Sequence, residues 1–194
     1  MKTTSTKFLI VCLIIFAGVA ESCSVTRAPD NLTSKERRNL EKAALTLNFY
    51  AQDTVLNARE FVLEADFLEG RRGELVVVSP NINFVKVQGN RGTLQTGNEL
   101  FMGNDRRGNG LGGVTTEGNI INYKVTGNTR SLTHRVTFTI VTNVGVFHVN
   151  MFIMADNKSR ATITSTNSMQ LTWRGNLVAI FNTRVFRGID TFRR

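Results

Sequence analysis

Cysteine is scarce in this chain of 194 residues. Its two cysteines, Cys12 and Cys23, both lie near the N-terminus, and Cys12 falls inside an apolar run that is expected to be removed on export. The mature chain would therefore keep one cysteine at most. A single cysteine excludes an internal disulfide and a cysteine-rich metal site, so the fold must rely on its hydrophobic core.

Residues that usually carry catalysis are also scarce. The two histidines, His134 and His148, do not occur in a metal-binding spacing, and the chain contains no G-x-S-x-G nucleophile motif. The glycine-rich stretch from Gly108 to Gly113 lacks the Gly-Lys-Ser/Thr of a phosphate loop. The residues after it favour a strand rather than the helix that such a loop requires. We therefore expect no enzymatic activity, no metal and no cofactor.

Acidic residues are fewer than basic ones, which gives a formal net charge of +9 and an isoelectric point of about 10.3. Such a charge favours anionic partners, including nucleic acid. The basic residues are scattered as pairs such as Arg37-Arg38 and Arg71-Arg72, however, and no stretch interleaves them with aromatic residues. The pattern indicates a solvated basic surface and no nucleic-acid partner.

The first residues have the features of a secretory signal peptide. Lys2 and Lys7 precede an unbroken apolar run, Phe8–Ala20, which is too short to span a membrane. Small residues lie near the end of this segment, as they do before a cleavage site. We therefore expect export across the inner membrane.

Cys23 stands where a lipoprotein signal has the cysteine that becomes the acylated N-terminus. This placement predicts a signal peptide over residues 1–22, lipid attachment at Cys23, and a tether over residues 23–33. The membrane would then be a partner through the lipid, with the protein in the periplasm or on the outer membrane. Glu21 departs from the usual lipoprotein pattern, so cleavage by a general signal peptidase is the alternative.

Residues 34–194 are predicted to form a single domain that begins with a helix. Thr33 and Glu36 have the spacing of a capping box, which predicts a helix from Ser34 to Asn57. Within it, an apolar stripe at helical spacing is predicted to pack against a sheet, and it consists of Leu40, Ala43, Ala44, Leu47 and Ala51.

From Glu60 onward the apolar pattern changes to a period of two, which is typical of strands. In the first such segment Phe61, Leu63, Ala65 and Phe67 are predicted to share one face. One-sided apolar segments with short turns then recur as far as Phe181. The predicted fold is mainly β with one N-terminal helix. The strands, about eight or nine in number, would form an antiparallel meander sheet or a partly closed barrel packed against the helix.

The interior is expected to be packed rather than hollow. Trp173 lies on an apolar strand face and is predicted to belong to the core. If the helix fills the concavity of the sheet, little room remains for a ligand, because protein interiors pack closely. Binding would then be confined to the outer face or to loops, such as the long polar segment Asn98–Gly113, which is expected to be mobile.

Glu64 and Asp66 are the one pair of acidic residues that could act together. They share a strand face and lie about 7 Å apart by the rise of a strand. Paired carboxylates can serve as acid and base in a hydrolase. The neighbouring Arg59, Arg71 and Arg72 favour a solvated ion-pair face instead. His148 is also predicted to be exposed, because it shares a polar strand face with Asn150.

Several short motifs resemble those of one bacterial family, and they occur in the same order. They are Arg59–Asp66, Ser79–Val85, Gly110–Val114, Glu117–Asn119, Tyr123–Val125, Gly175–Val178 and Val185–Gly188. The resemblance is to the domain of unknown function number 4251, found in gut bacteria of the Bacteroides group, and it covers about residues 36 to 190. It implies an exported, β-rich domain and supplies no catalytic residues.

Together these features favour a non-enzymatic, lipid-anchored cell-envelope protein with a β-rich binding or structural domain. The alternative is a carrier that holds an apolar small molecule inside a lipocalin-like barrel, and a third hypothesis is a hydrolase that uses Glu64 and Asp66. A cavity inside the sheet would favour the carrier, and a buried carboxylate pair would favour the hydrolase. The partner would be an envelope protein or a small-molecule ligand.

Overall fold

The computed structural model describes residues 32–70, 72–97, 114–166 and 170–185. Residues 38–194 belong to one compact unit, and residues 1–37 form a separate unit of which residues 32–37 are described. The predicted signal peptide, Cys23, most of the tether and the loop Asn98–Gly113 lie outside the described residues. The described residues make up a helix and a sheet.

One α-helix, α1, extends from Ser34 to Ala58, in agreement with the predicted range. The capping box is present, because Glu36 Oε2 accepts hydrogen bonds from Thr33 Oγ1 at 2.7 Å and Thr33 N at 2.8 Å. These bonds hold the pKa of Glu36 below its ordinary value. The helix ends at Ala58, and the next residue, Arg59, has a φ of 57° and donates its N–H to Leu56 O. No helix in the described ranges is long and apolar enough to cross a membrane.

The helix packs on a different face from the predicted one. Leu40 and Leu47 are 57% and 71% exposed, and the alanines of the predicted stripe are not buried either. The buried residues are instead Phe49, Gln52 and Leu56, all in the C-terminal half. The prediction of a buried stripe was wrong because it considered only the spacing of apolar residues and therefore left out Gln52, a polar residue of the buried face. Its side-chain Nε2 donates to Met154 O at 2.8 Å and to Asn157 Oδ1 at 2.9 Å.

Nine strands and a short 3₁₀ helix follow in the described part of the chain. They are β1 (Glu60–Gly70), β2 (Leu75–Val77), β3 (Phe84–Gln88), β4 (Arg91–Thr96), β5 (Val114–Asn128), β6 (Thr133–Thr142), β7 (Gly145–Met154), β8 (Lys158–Ser165), β9 (Gln170–Ala179) and the 3₁₀ helix Ile180–Asn182. All the pairings are antiparallel. Strands from β3 to β9 pair in sequence order, and β1 pairs with both β3 and β9.

Eight strands therefore close into a barrel, and β2 extends the sheet beside the end of β1. The predicted fold class and strand number are confirmed. The inward side chains form one hydrophobic core that includes Phe61, Leu63, Ile140 and Met151. Trp173 is buried among them, as predicted from its place on an apolar face.

Strand β1 changes phase at Asp66. Its register with β9 passes from Ala65–Gly175 to Phe67–Arg174, which leaves Asp66 as the extra residue of a β-bulge. Leu68 is consequently buried, whereas Phe67 is 38% exposed. The predicted alternation holds as far as Ala65 and fails at Phe67, because one inserted residue moves every later side chain to the opposite face.

Candidate functional site: the end of the barrel opposite the helix

The C-terminal half of α1 packs against one end of the barrel. The Phe49 ring stacks on the buried His134 ring with centroids 4.2 Å apart, and His134 Nε2 lies 3.0 Å from Phe49 O. At the end of the helix, Tyr123 donates its hydroxyl to Leu56 O at 2.6 Å, and the Arg59 guanidinium lies over the Tyr123 ring at 4.5 Å. This end of the barrel is therefore filled by protein.

The opposite end contains an apolar cavity of about 120 Å³. Its walls come from the inner faces of β4, β5, β7, β8 and β9 and from the turn between β6 and β7. The lining residues are Leu94, Gln95, Thr96, Thr116, Val144, Phe147, Ile163, Ser165, Leu171 and Trp173. The helix therefore leaves a space inside the barrel, in contrast to the expected packed interior.

Polar groups in the cavity wall fall into two classes. Gln95 is held firmly, because its Oε1 accepts from Thr115 Oγ1 at 2.8 Å and its backbone oxygen accepts from Trp173 Nε1 at 3.3 Å. By contrast, Thr116 Oγ1 and Ser165 Oγ are buried and have no hydrogen-bond partner in the described part of the chain. Buried hydroxyls are normally paired, so these two are exceptions, and each oxygen has less than 1 Å² of accessible surface.

The two acidic residues of the hydrolase hypothesis lie on the outer surface of β1. Glu64 Oε1 accepts from Thr183 Oγ1 at 2.5 Å, and Asp66 Oδ2 accepts from Asn176 Nδ2 at 3.0 Å. Both side chains are partly exposed, and neither lines the cavity. The structure does not bring them together as the water-excluded pair that this hypothesis requires.

The two histidines are separated by the barrel wall. His148 is exposed on the outer face, as predicted, with Nδ1 3.1 Å from Thr139 Oγ1. His134 is fully buried beneath Phe49. Within the described ranges, no three His, Cys, Asp or Glu side chains come close enough to hold a metal ion.

Comparison with known proteins gives the family. The model of the domain of unknown function DUF4251 matches residues 44–177, which is more than half of the chain. The chain belongs to the DUF4251 family. A solved DUF4251 family protein from Bacteroides eggerthii is 29% identical with a TM-score of 0.60, and the match covers 75% of this chain and 96% of that one. No curated protein matches.

The motifs that carry the DUF4251 resemblance have structural roles in this barrel. A Cβ on Gly118 would overlap the Val141 carbonyl group, and a Cβ on Gly175 would overlap the Glu64 carbonyl oxygen. Asn83 is buried and donates its Nδ2 to Ser79 O at 2.9 Å. These positions therefore hold neighbouring strands and turns together and do not line the cavity.

Sequence reasoning missed the cavity and its two hydroxyls. Thr116 is in phase with the inward Ile120 on β5, and Ser165 is in phase with Ile163 on β8. A hydroxyl residue in phase with buried apolar residues is the signal that could have found them. The sequence does not say which of these positions lie beside an unfilled space, because that depends on how far the helix reaches into the barrel.

Proposed function

We propose that this DUF4251 protein is a non-enzymatic, lipid-anchored cell-envelope protein whose barrel binds a small apolar group at the end opposite the helix. The cavity of about 120 Å³ beside Trp173 is the observation that carries the proposal. It supports a binding domain rather than a purely structural one, because an apolar recess that is reached from the barrel end, beside the 43% exposed Val144, can take up a small apolar group.

The size of the cavity limits the ligand. Pockets that enclose a whole drug-sized molecule have volumes of about 300–1,000 Å³, whereas an engineered cavity of about 150 Å³ takes one benzene ring. A cavity of about 120 Å³ suits one small ring or one branched aliphatic end. The carrier alternative therefore changes. The barrel would not enclose a whole large ligand, as a lipocalin-like barrel does, but would hold a small molecule or the end of a larger one.

The composition of the wall supports binding without catalysis. None of the ten lining residues in the described part of the chain is Asp, Glu, His, Lys, Arg, Cys or Tyr, so this part of the wall offers no general acid or base. A serine or threonine hydroxyl needs an adjacent base to act as a nucleophile. Ser165 and Thr116 have no such neighbour among the described residues that line the cavity with them.

Binding can be tested through Trp173, which is the only tryptophan and lines the cavity. We expect benzene to shift the indole N–H resonance of the mature chain, residues 23–194, in a saturable way. Ser165→Leu should abolish the shift by filling the space. Thr164→Leu, on the exposed side of the same strand, is the control and should leave it unchanged. A wild-type resonance that does not move would overturn the binding proposal.

The lipid anchor is supported by the charged start, the apolar run and the position of Cys23. Intact-mass analysis of the membrane fraction should find a mature chain that begins at Cys23 and carries acyl groups. Cys23→Ser should move the protein to the soluble fraction. A mature chain with a different first residue and no added mass would contradict the anchor while leaving the binding proposal standing.

A further inference from the structure

The chain after β9 turns back along the outer face of β1. Strand β9 ends at Ala179, which lies opposite Phe61, and the 3₁₀ helix that follows contacts β1. Thr183 Oγ1 and the Arg184 N–H then donate to Glu64 Oε1 at 2.5 Å and 3.4 Å. Because Glu64 comes after Phe61 in β1, the chain advances along β1 towards its C-terminal half.

The C-terminal half of β1 borders a groove of about 510 Å³ on the outside of the barrel. The groove extends from β1 and β2 over β9 and β8 to β7. Its large apolar side chains are Phe67, Leu75, Phe152 and Met154, which are 38–54% exposed. Exposed apolar side chains that gather in one groove, rather than occurring singly, mark a binding surface.

We propose that residues 186–194, which follow the described part of the chain, occupy this groove. The segment contains three large apolar residues at every third position, Phe186, Ile189 and Phe192. They would pack against the apolar side chains of the groove and remove apolar surface from water. This inference goes beyond the proposed function and depends on neither the barrel cavity nor the lipid anchor.

The segment begins beside the groove and is long enough to cross it. The described chain ends at Val185, and the preceding Arg184 is bonded to Glu64, two residues before Asp66 at the edge of the groove. From β1 to β7 the groove crosses three strand spacings, or about 14 Å. Residues 186–194, when extended, reach up to about 30 Å.

Charges along the segment follow the same order as charges along the groove. Asp66 lies at the β1 edge, about 7 Å beyond Glu64 by the rise of a strand. In an extended chain Arg187, the first charged residue of the segment, lies about 10 Å beyond Arg184. The Arg187 guanidinium can therefore reach the Asp66 carboxylate.

Further into the groove the charge is positive. Arg160 on β8 and Arg174 on β9 both bind the Glu69 carboxylate, and their side chains are 49% and 43% exposed. One carboxylate does not balance two guanidinium groups, so the pair keeps a positive charge. Asp190 follows Arg187 in the segment and would supply a second carboxylate at this point.

The test is a distance measurement on the mature chain. A nitroxide is attached to the cysteine of Thr191→Cys in a Cys23→Ser background, and the broadening of backbone amide resonances is recorded. We expect the amides of Phe152 and Arg160, in the groove, to lose most of their intensity. Amides of β4 and β5, on the opposite wall of the barrel, should keep theirs. Equal intensities in the two sets would overturn the proposal.

Two variants show whether the groove holds the segment. Phe152→Asp places a charge among the apolar side chains and should release the segment, so that the groove amides recover their intensity. Ile121→Asp is the matched control, because Ile121 on β5 is 47% exposed and Phe152 is 42% exposed. It should leave the broadening unchanged. Phe192→Ala gives the same test as Phe152→Asp without altering the barrel, and broadening that survives both would contradict the proposal.

A mixed sample distinguishes this arrangement from an exchange between two copies. Nitroxide-labelled protein is mixed with isotope-labelled protein that carries no nitroxide, and only the second is observed. No broadening is expected, because the segment and the groove belong to the same chain. Broadened groove amides in the mixture would show that the segment occupies the groove of a second copy, and the proposal would be overturned. None of these results bears on benzene binding in the barrel.

Discussion

Gly175 shows how closely the backbone of β9 approaches that of β1. A Cβ at this position would overlap the Glu64 carbonyl oxygen and come within 2.8 Å of Ala65 Cα. Both are backbone atoms beside the Asp66 bulge, so they cannot move without disturbing the pairing that closes the barrel. The glycine is required here by a close approach of chains and not by an unusual backbone angle.

Gly175→Ala should therefore destabilise the protein strongly, by about 4 kcal/mol or more, or prevent folding. Gly73→Ala is the matched control, because Gly73 has a φ of 84° but nothing within 4 Å of its would-be Cβ. Backbone strain alone should cost that variant about 1 kcal/mol. Urea unfolding measures both, and a Gly175→Ala protein as stable as Gly73→Ala would rule out the clash.

Tyr123 links the barrel to the end of the helix through its hydroxyl bond to Leu56 O. Burial raises the pKa of the Tyr123 phenol above its ordinary value, and the nearby Arg59 guanidinium opposes part of that rise. The folded protein thus keeps a proton that the unfolded chain releases above about pH 10. The stability that this group contributes is complete below that pH and declines above it.

Tyr123→Phe should lower the free energy of unfolding at pH 7 by about 1 kcal/mol, since the hydrogen bond is lost. Above about pH 10 the variant should lose stability less steeply than wild type, because it has no phenol at this position to ionise. Tyr50→Phe, which changes an exposed tyrosine, controls for the substitution itself. Equal slopes for Tyr123→Phe and wild type would contradict the burial effect.

At the scale of elements, α1 has two apolar faces, and only one is used within the described part of the protein. The used face contains Phe49, Gln52 and Leu56, and it combines stacking on His134 with hydrogen bonds to the end of β7 and to the turn that follows it. The unused face contains Leu40 and Leu47. The helix is therefore held by a few specific contacts of its C-terminal half rather than by a long hydrophobic stripe.

Alanine substitutions on the two faces should differ sharply. Phe49→Ala should cost about 3–5 kcal/mol, because it removes a buried ring and leaves a gap against His134. Leu47→Ala, two residues away on the exposed face, should change the free energy of unfolding by no more than about 0.5 kcal/mol. Thermal or urea unfolding distinguishes the two results. A large loss for Leu47→Ala would mean that the predicted stripe is buried after all.

At the scale of the whole molecule, pairing between β1 and β9 closes the barrel and leaves no open edge between them. Strand β2 differs, since its residues Leu75–Val77 pair only with β1 in the described part of the chain. Backbone amides at the β1–β9 seam should therefore open only when the whole barrel unfolds, whereas β2 can open locally.

Native-state hydrogen exchange tests this difference. Amides of β1 and β9 that face each other should exchange with the free energy of global unfolding, as should those of the internal β6–β7 pair, which serves as the reference. Amides in residues 75–77 should exchange with a smaller free energy. Seam amides that exchange as easily as those of β2 would indicate that the barrel opens between β1 and β9.

The sequence by itself determined the features that depend on neighbouring residues. The capping box placed the start of α1, and the period of two located the strands and put Trp173 in the core. Only the tertiary structure decided which helix face is buried, where β1 changes phase and where a cavity remains. Each of these depends on residues distant in the chain: Gln52 is bonded to Met154, 102 positions away, and Asp66 bulges opposite β9. Local patterns show which faces are apolar, but the partner that covers a face comes from the fold.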